Sequence, residues 1–202
     1  MDFESLQQPE ISKRRRWIAP VRRVFFELLQ SVILIMAVYT LINMALPRYI
    51  VEGRSMQPVF RGEGNERVVV SRIDYFFSDP QRGDIIVLKN PDDNTVYYIK
   101  RVLGLPGETV RMEDGRVYID GKAVDEPYIP DLCHTSKCTN REWVLGVDEY
   151  FVLGDNRNSS HDSTSFGAID RSLIVGRAWI HYWPPEEWKL FEHFDYSASA
   201  AQ

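Results

Sequence analysis

The sequence predicts a mostly β domain, an antiparallel β-sheet or barrel-like structure, with one N-terminal transmembrane α-helix. Nineteen consecutive uncharged residues run from Leu28 to Leu46. A helix of that length spans about 28 Å, close to the roughly 30 Å hydrocarbon core of a bilayer. Beyond Ile50 the apolar residues form short runs separated by turn residues, which is typical of a sandwich or barrel. A content of 44% hydrophobic and 26% charged residues argues against a disordered chain.

Basic residues before the apolar run predict its orientation. Six Lys or Arg residues lie between Lys13 and Arg23, and an excess of positive charge marks the cytoplasmic side of a membrane helix. The expected organisation is a cytoplasmic basic tail (1–23), a transmembrane anchor (24–47), an extracytoplasmic β-rich domain (48–192) and a flexible tail (193–202). A cleaved signal peptide and a buried core helix are the alternatives to an anchor. The first would normally have a shorter apolar region and a small-residue cleavage site.

The charge of the main domain limits its partners. The chain carries a net charge of −5, but residues 51–202 alone hold 17 basic and 25 acidic side chains. A protein that binds nucleic acid normally presents a basic surface to the phosphates. The acidic balance therefore argues against nucleic acid as a partner.

The β runs follow one another at short intervals along the main domain. The predicted strands are 67–70, 84–88, 96–102, 109–112, 116–119, 122–124, 143–145, 150–153 and 174–180. Asp114-Gly115 separates two of these runs and is a strong hairpin signal. A long polar loop, 154–167, comes directly after an apolar strand, and loops of this kind often position functional residues.

Cys133 and Cys138 form a Cys-x4-Cys pair with Pro130 nearby. In an extracytoplasmic domain this spacing favours a disulfide that staples a loop. Free thiols remain an alternative. A metal site that includes the adjacent His134 is another, although the sequence offers no evident fourth ligand.

Lys100 is the residue that points most directly to chemistry. It lies within an apolar strand pattern, and strand alternation directs it to the opposite side from Arg101. Desolvation would lower its pKa and make the neutral amine a general base. Ser55 lies upstream in the turn Gly53–Pro58 and is the candidate nucleophile. The two residues together suggest a Ser-Lys hydrolase.

Three segments occur in an order that resembles the signature boxes of bacterial type I signal peptidases (leader peptidases). They are Ser-Met-Gln-Pro at 55–58, Tyr-Ile-Lys-Arg-Val-Leu-Gly-Leu-Pro-Gly at 98–107 and Gly-Asp-Asn-Arg-Asn-Ser-Ser-His-Asp-Ser at 154–163. Arg-Gly-Asp-Ile-Ile-Val at 82–87 resembles a further box. The resemblance extends over roughly residues 24–185 and includes the N-terminal helix.

The resemblance implies a membrane-bound serine endopeptidase that removes N-terminal signal peptides from exported preproteins after Ala-x-Ala-like sites. Ser55 would be the nucleophile and Lys100 its general base. Ser160 would orient the lysine amine, while Asp162 and Arg157 would support the site. The implied partners are preprotein signal peptides and the lipid bilayer, and no metal or cofactor is implied. The expected location is the plasma membrane, which the sequence does not distinguish from a thylakoid membrane.

The same resemblance implies that Met56, Tyr98 and Ile99 line shallow substrate pockets. Two positions depart from the pattern of some members. Gly53 stands where a serine hydroxyl would be the second oxyanion donor, so that donor is unassigned. Thr164 stands where an arginine would pair with the residue at Asp162.

Two other classes of protein share some of these features. One is a different Ser-Lys peptidase of the self-cleaving repressor type, against which the membrane helix and the loop 154–167 argue. The other is a non-catalytic, membrane-tethered β module, in which a buried Lys100 facing Ser55 would be an unexplained cost. The pair His161-Asp162 also invites a Ser-His-Asp interpretation, but sequence neighbours rarely orient each other in that way.

Overall fold

The computed structural model describes residues 11–138, 140–192 and 196, and the chain divides into two compact units between Met44 and Ala45. The first unit contains helix α1, whose bounds are Ile11–Ala45. The helix ends just before Leu46-Pro47, where the proline ring disfavours a helical conformation of the residue preceding it.

Helix α1 contains the apolar segment that the sequence indicates. Among the described residues it is the one helix long and apolar enough to cross a membrane, over the 24 residues Arg22–Ala45. Its side chains are exposed from Arg22 through Ile42. The predicted N-terminal apolar helix is therefore confirmed. The described helix begins at Ile11 and therefore includes the basic residues that the sequence analysis assigned to the tail. Residues 1–10 lie outside the described part of the chain.

The second unit is mostly β. Its strands are β1 (Arg48–Glu52), β2 (Glu63–Ser71), β3 (Ile85–Lys89), β4 (Tyr97–Gly104), β5 (Thr109–Glu113), β6 (Arg116–Ile119), β7 (Lys122–Ala123), β8 (Arg141–Val144), β9 (Glu149–Leu153), β10 (Ile169–Asp170), β11 (Ile174–Trp183) and β12 (Lys189–Leu190). Two short α-helices, α2 (Asp74–Phe77) and α3 (Ser163–Phe166), lie between strands. Single 3₁₀ turns cover Ser136–Cys138, Arg157–Ser159, Arg171–Leu173 and Pro185–Glu187.

The strands form two antiparallel sheets. The larger sheet has the order β1-β2-β11-β3-β4-β9-β10, with β12 also paired to β11, and the smaller has the order β7-β6-β5-β8. The prediction of a mostly β fold with antiparallel sheets is thus confirmed. Strands β1, β10 and β12 were not predicted. Two of them are only two residues long, so a neighbouring strand rather than a local pattern defines them.

Strand β3 shows why the sequence of the central strands in the larger sheet is continuously apolar. Ile85 and Val87 belong to one buried cluster, and Ile86 and Leu88 belong to another. Successive side chains of a strand point to opposite faces, so both faces of the sheet are covered at this position. A lysine on the neighbouring strand β4 consequently has little access to water.

A disulfide joins Cys133 to Cys138. Closing so short a loop stabilises the fold by about 2 kcal/mol in the chain-entropy account. The stapled loop contacts the turn at 157–159: the N–H of His134 donates to Asn158 Oδ1 at 2.8 Å, and Asn158 Nδ2 donates to the carbonyl of Leu132 at 3.1 Å. The disulfide loop therefore braces the polar loop that follows β9.

The predicted flexible tail, 193–202, lies outside the described residues except for Tyr196. The hydroxyl of Tyr196 is 2.7 Å from that of Tyr128. This contact attaches that position of the tail to the second unit.

Candidate active site

Ser55 lies in a tight turn between β1 and β2 that two buried residues hold in place. Met56 and Phe60 are in the core, and the N–H of Phe60 donates to the carbonyl of Met56 at 3.0 Å. Gly53 begins the turn with φ +85°, a left-handed conformation that L-residues rarely adopt. The core side chains and the glycine together fix the direction in which Ser55 projects.

Lys100 reaches Ser55 from strand β4. Its backbone pairs with Ile86 of the central strand β3, and its side chain is only 3% exposed. The Nζ atom donates to Ser55 Oγ at 2.8 Å and to the carbonyl oxygen of Ile99 at 2.8 Å. The amine is therefore in hydrogen-bond contact with the candidate nucleophile.

Burial also changes the proton affinity of this amine. Loss of solvation lowers the pKa of Lys100 from 10.5 to about 8, although the negative charges of Asp162 and Asp155 act in the opposite direction. A lysine with this pKa is partly neutral near neutral pH, whereas an exposed lysine is almost fully charged. The neutral amine can accept a proton from a hydroxyl.

The loop after β9 packs directly on the Ser55 turn. The N–H of Asn156 donates to the carbonyl of Ser55 at 3.0 Å. A Cβ atom at Gly154 would overlap both the Ser55 carbonyl oxygen and Ser160 Oγ. Gly154 is thus a position where close approach of two backbones requires glycine.

Asp162 supports this loop from within. Its side chain is buried; Oδ2 accepts the N–H of Gly154 at 3.1 Å, and Oδ1 accepts both the N–H and the hydroxyl of Thr164, at 3.1 and 2.8 Å. The threonine hydroxyl therefore occupies the partner position for which the family resemblance suggested an arginine. Arg141 also contacts this residue, because its Nη1 donates to the carbonyl of Thr164 at 2.7 Å.

Two buried ion pairs flank the loop, and sequence reasoning named only one residue of each. Arg157 donates to the Gly154 carbonyl at 3.1 Å and pairs with Glu126 through both terminal nitrogens, one of them at 2.9 Å. Arg101 binds Asp155 with two hydrogen bonds, of 2.8 and 2.7 Å. Asp155 lies inside the third motif and could have been found there, whereas Glu126 carries no local signal.

Ser160 and His161 occupy different environments. Ser160 Oγ is buried and makes no hydrogen bond with any described residue, so its role in orienting Lys100 stays a prediction. His161 is exposed and places its ring near those of Tyr98 and Phe166, with centroids 6.1 and 5.5 Å apart. These contacts give His161 no visible part in a triad with Ser55.

A cleft of about 170 Å³ opens beside Ser55 and Lys100. Its other lining residues come from β1, β2, β3 and β4, and they are Tyr49, Ile50, Val51, Glu52, Val68, Val87, Tyr97, Tyr98 and Ile99. Tyr98 and Ile99 thus lie where a substrate pocket was expected. Met56 does not line this cleft: its side chain is 1% exposed and packs in the core with Val51, because the turn after Ser55 directs it inward.

This geometry suits nucleophilic catalysis by a hydroxyl. A serine hydroxyl, a base in hydrogen-bond contact with it and an adjacent cleft are the components that such a reaction needs. Among the described residues, the one group of His, Cys, Asp and Glu side chains spaced to bind a metal ion is Glu66, His181 and Glu187. None of these three lines the cleft.

Comparisons with known proteins identify relatives of this chain. Residues 25–183 match the family described as signal peptidase, peptidase S26. Signal peptidase I of Leptolyngbya laminosa is 41% identical over 168 residues, which are 76% of this chain and 75% of that protein. Signal peptidase I V of Bacillus subtilis is 38% identical over 162 residues, which are 75% and 94% of the two chains. The crystal structure of a signal peptidase I from Enterococcus faecalis is 32% identical, covers 50% of this chain and 97% of that one, and has a TM-score of 0.44.

These matches define the chain as a serine peptidase. It belongs to the signal peptidase family, peptidase S26. Membership of this family argues against both the repressor-type peptidase and the non-catalytic module that the sequence left open.

The pKa of Lys100 predicts the pH dependence of activity. If the neutral amine is the base, kcat/KM rises with pH along a limb with a midpoint near pH 8, because protonated Lys100 cannot accept the serine proton. The measurement is kcat/KM for a preprotein or peptide substrate from pH 6 to 10. A limb that follows an ordinary lysine, with a midpoint near 10.4, would contradict a desolvated base.

Proposed function

We propose that the chain is a signal peptidase I in which Ser55 is the nucleophile and Lys100 the general base. The observation that carries this proposal is the 2.8 Å hydrogen bond between Lys100 Nζ and Ser55 Oγ, together with the burial of Lys100. Family membership supports the substrate class, which is preproteins that carry signal peptides.

In the proposed reaction, Ser55 Oγ attacks the scissile carbonyl carbon while its proton passes to Lys100 Nζ. The tetrahedral intermediate collapses when the C–N bond breaks, and the amine leaves with the proton from Lys100. Water then attacks the acyl-enzyme, again with Lys100 as base, and releases the new carboxylate and free Ser55. The backbone N–H of Ser55 is the proposed donor to the oxyanion; a second donor is not assigned, since Gly53 has no side chain.

The remaining loop residues have supporting roles in this proposal. Asp162 and Arg157 both bind Gly154, the residue that contacts the Ser55 carbonyl, so they hold the third motif against the nucleophile. Ser160 lies beside Gly154 and is the proposed partner of the lysine amine when substrate is bound.

The cleft supports a preference for small side chains one and three residues before the cut. Its volume is about 170 Å³, and in this proposal the backbone and side chains of several substrate residues share that space. Strands β1 and β4 supply most of its walls, and strand pairing fixes Ile50, Tyr98 and Ile99 there. We propose that the substrate binds in extended form along these strands, with Ala-x-Ala as the favoured pattern.

We further propose that the segment 24–47 anchors the protein in the membrane. The exposed apolar side chains of Arg22–Ala45 and the length of this segment support a single crossing. The basic residues at 13–23 favour a cytoplasmic N-terminus and an extracytoplasmic catalytic domain at 48–192. The bilayer then concentrates enzyme and signal peptide on the same surface, and the acidic domain is not expected to bind nucleic acid.

The dyad is tested with three variants of the full chain in detergent. Ser55→Ala and Lys100→Met are expected to lower preprotein cleavage at least 1,000-fold, because each removes a group that the chemistry requires. His161→Ala is the matched control and should stay within about threefold of wild type. The cut site is read by mass spectrometry. An inactive His161→Ala together with an active Lys100→Met would support a triad instead of the dyad.

The size of the cleft predicts the substrate preference. Replacing the alanine immediately before the cut by leucine should lower kcat/KM at least 100-fold, because the larger side chain clashes with Tyr98 or Ile99. A change two residues before the cut, between the small positions, should alter kcat/KM less than threefold. Equal cleavage of the alanine and leucine substrates would contradict the proposed pocket.

The topology is tested by protease accessibility. In intact spheroplasts, added protease should digest the domain 48–192, while an epitope at the N-terminus stays protected until the membrane is permeabilised. Protection of the domain in intact spheroplasts would reverse the proposed orientation.

A further inference from the structure

Glu66, His181 and Glu187 bring two carboxylates and an imidazole together outside the cleft. The ligand atoms that they offer lie within 4.8 Å of one another. Glu66 and His181 are 1% and 2% exposed, and the side chain of Glu187 is 19% exposed. None of the three residues lines the cleft beside Ser55. The proposed peptidase reaction therefore makes no use of this group.

Strand pairing places the three side chains together. His181 on β11 pairs with Val68 on β2, and Glu66 lies two residues before Val68, on the same side of that strand. The register of β11 shifts just after His181, and the chain then turns back on itself. Because β12 pairs Lys189 with His181, the connecting turn brings Glu187 back toward the imidazole.

His181 provides the observation that points to a bound ligand. Its Nε2 atom is buried and makes no hydrogen bond with any described residue. This nitrogen is 3.6 Å from Glu66 Oε1, which is longer than a hydrogen bond. Two ligand atoms of a tetrahedral zinc ion, each about 2.1 Å from the metal, are about 3.4 Å apart. The buried nitrogen thus faces a carboxylate oxygen at close to the separation that a shared metal ion requires.

Glu66 can bind a metal ion without losing its present contacts. Its Oε1 accepts the N–H of Arg61 at 3.1 Å, and its Oε2 accepts the N–H of Gly62 at 2.6 Å. Each carboxylate oxygen has two lone pairs, so each keeps one for a cation. The two hydrogen bonds also hold the carboxylate in one orientation, as the hydrogen-bond partners of metal ligands commonly do.

Two exposed cations lie beside the group. Arg61 Nη2 forms an ion pair with Glu187 Oε1, but the arginine side chain is 64% exposed and can turn into water. An ion pair with so exposed a partner contributes little stability, so a cation that binds both carboxylates and the imidazole can displace it. Lys189 is exposed as well, and its ammonium lies over Phe191, 5.7 Å from the ring centroid.

We propose that Glu66, His181 and Glu187 bind one zinc ion, through His181 Nε2 and one oxygen of each carboxylate. A donor set of nitrogen and oxygen suits Zn²⁺, whereas Mg²⁺ and Ca²⁺ prefer oxygen ligands alone. Three protein ligands leave the fourth position of a tetrahedral zinc ion to water. The ion would join β2, β11 and the turn at 185–187, and it should therefore stabilise the fold. This inference does not depend on the proposed function of Ser55.

Zinc binding is tested on the full, untagged chain in detergent, after EDTA treatment and removal of the EDTA. Isothermal titration calorimetry should give one Zn²⁺ per chain. Zinc at about 100 times its Kd should raise the Tm by at least about 5 °C, because the ion binds the folded state and not the unfolded one. His181→Gln and Glu187→Gln each remove one ligand and should reduce this rise to below about 1 °C.

Glu186→Gln is the matched control. It removes the same charge from the same turn, but at an exposed residue outside the group. Its zinc-dependent rise in Tm should equal that of the wild type. Mg²⁺ at the same concentration should change the Tm of the wild type by less than about 1 °C, because one of the three ligands is an imidazole.

The outcomes separate this site from binding elsewhere on the chain. A wild-type Tm that does not rise with zinc, or an equal rise in Glu187→Gln and Glu186→Gln, would overturn the proposal. A larger rise with Mg²⁺ or Ca²⁺ than with Zn²⁺ would overturn the assignment to zinc. If His181→Gln does not fold, the two variants of the turn decide the question. A wild type that binds zinc in this way but cleaves no preprotein would support the zinc site and overturn the proposed function.

Discussion

The exclusion of water from the Lys100 amine is the condition on which the rest of the site depends. An exposed lysine would remain protonated and could not take a proton from Ser55. Burial between the central strands of the larger sheet lowers its pKa to about 8, and two hydrogen bonds direct the amine at Ser55 Oγ and the Ile99 carbonyl. The same apolar core that stabilises the domain therefore also lowers the pKa of the proposed base. Because this position disfavours the charged amine, Lys100 lowers the free energy of unfolding at pH values below about 8, where it is protonated in the folded state. Shifted pKa values of this kind are common among catalytic groups.

Rigid contacts between distant segments hold this geometry. Ser55 follows β1, Lys100 lies in β4 and the supporting loop follows β9, so no local sequence element contains the site. Asn156 binds the Ser55 carbonyl, and the absence of a side chain at Gly154 allows the two backbones to meet. Packing of the Ser55 turn on Met56 and Phe60 then limits the motion of Ser55, the proposed nucleophile. Preorganisation of this kind avoids reorganising the groups during the reaction.

Two buried ion pairs lie beside the cleft. Arg101 with Asp155 and Arg157 with Glu126 are paired and nearly inaccessible to water. Pairs of this kind contribute little net stability compared with apolar residues of similar size, but removing one partner is costly because the other charge stays buried. They therefore fix the loop in one arrangement.

The sequence by itself determined the features that depend on local pattern. The uncharged run from Leu28 predicted the apolar helix, alternating and apolar runs predicted the antiparallel strands, and ordered motifs singled out Ser55 and Lys100 as candidates. Only the tertiary structure decided which side chains meet. It paired Arg157 with Glu126 and buried Met56 in the core, away from the cleft. It also joined β1, β10 and β12 to their sheets and brought His181 to Glu66. The physical reason is that a strand pattern fixes which face a residue occupies, whereas its partner depends on which distant strand the fold places beside it.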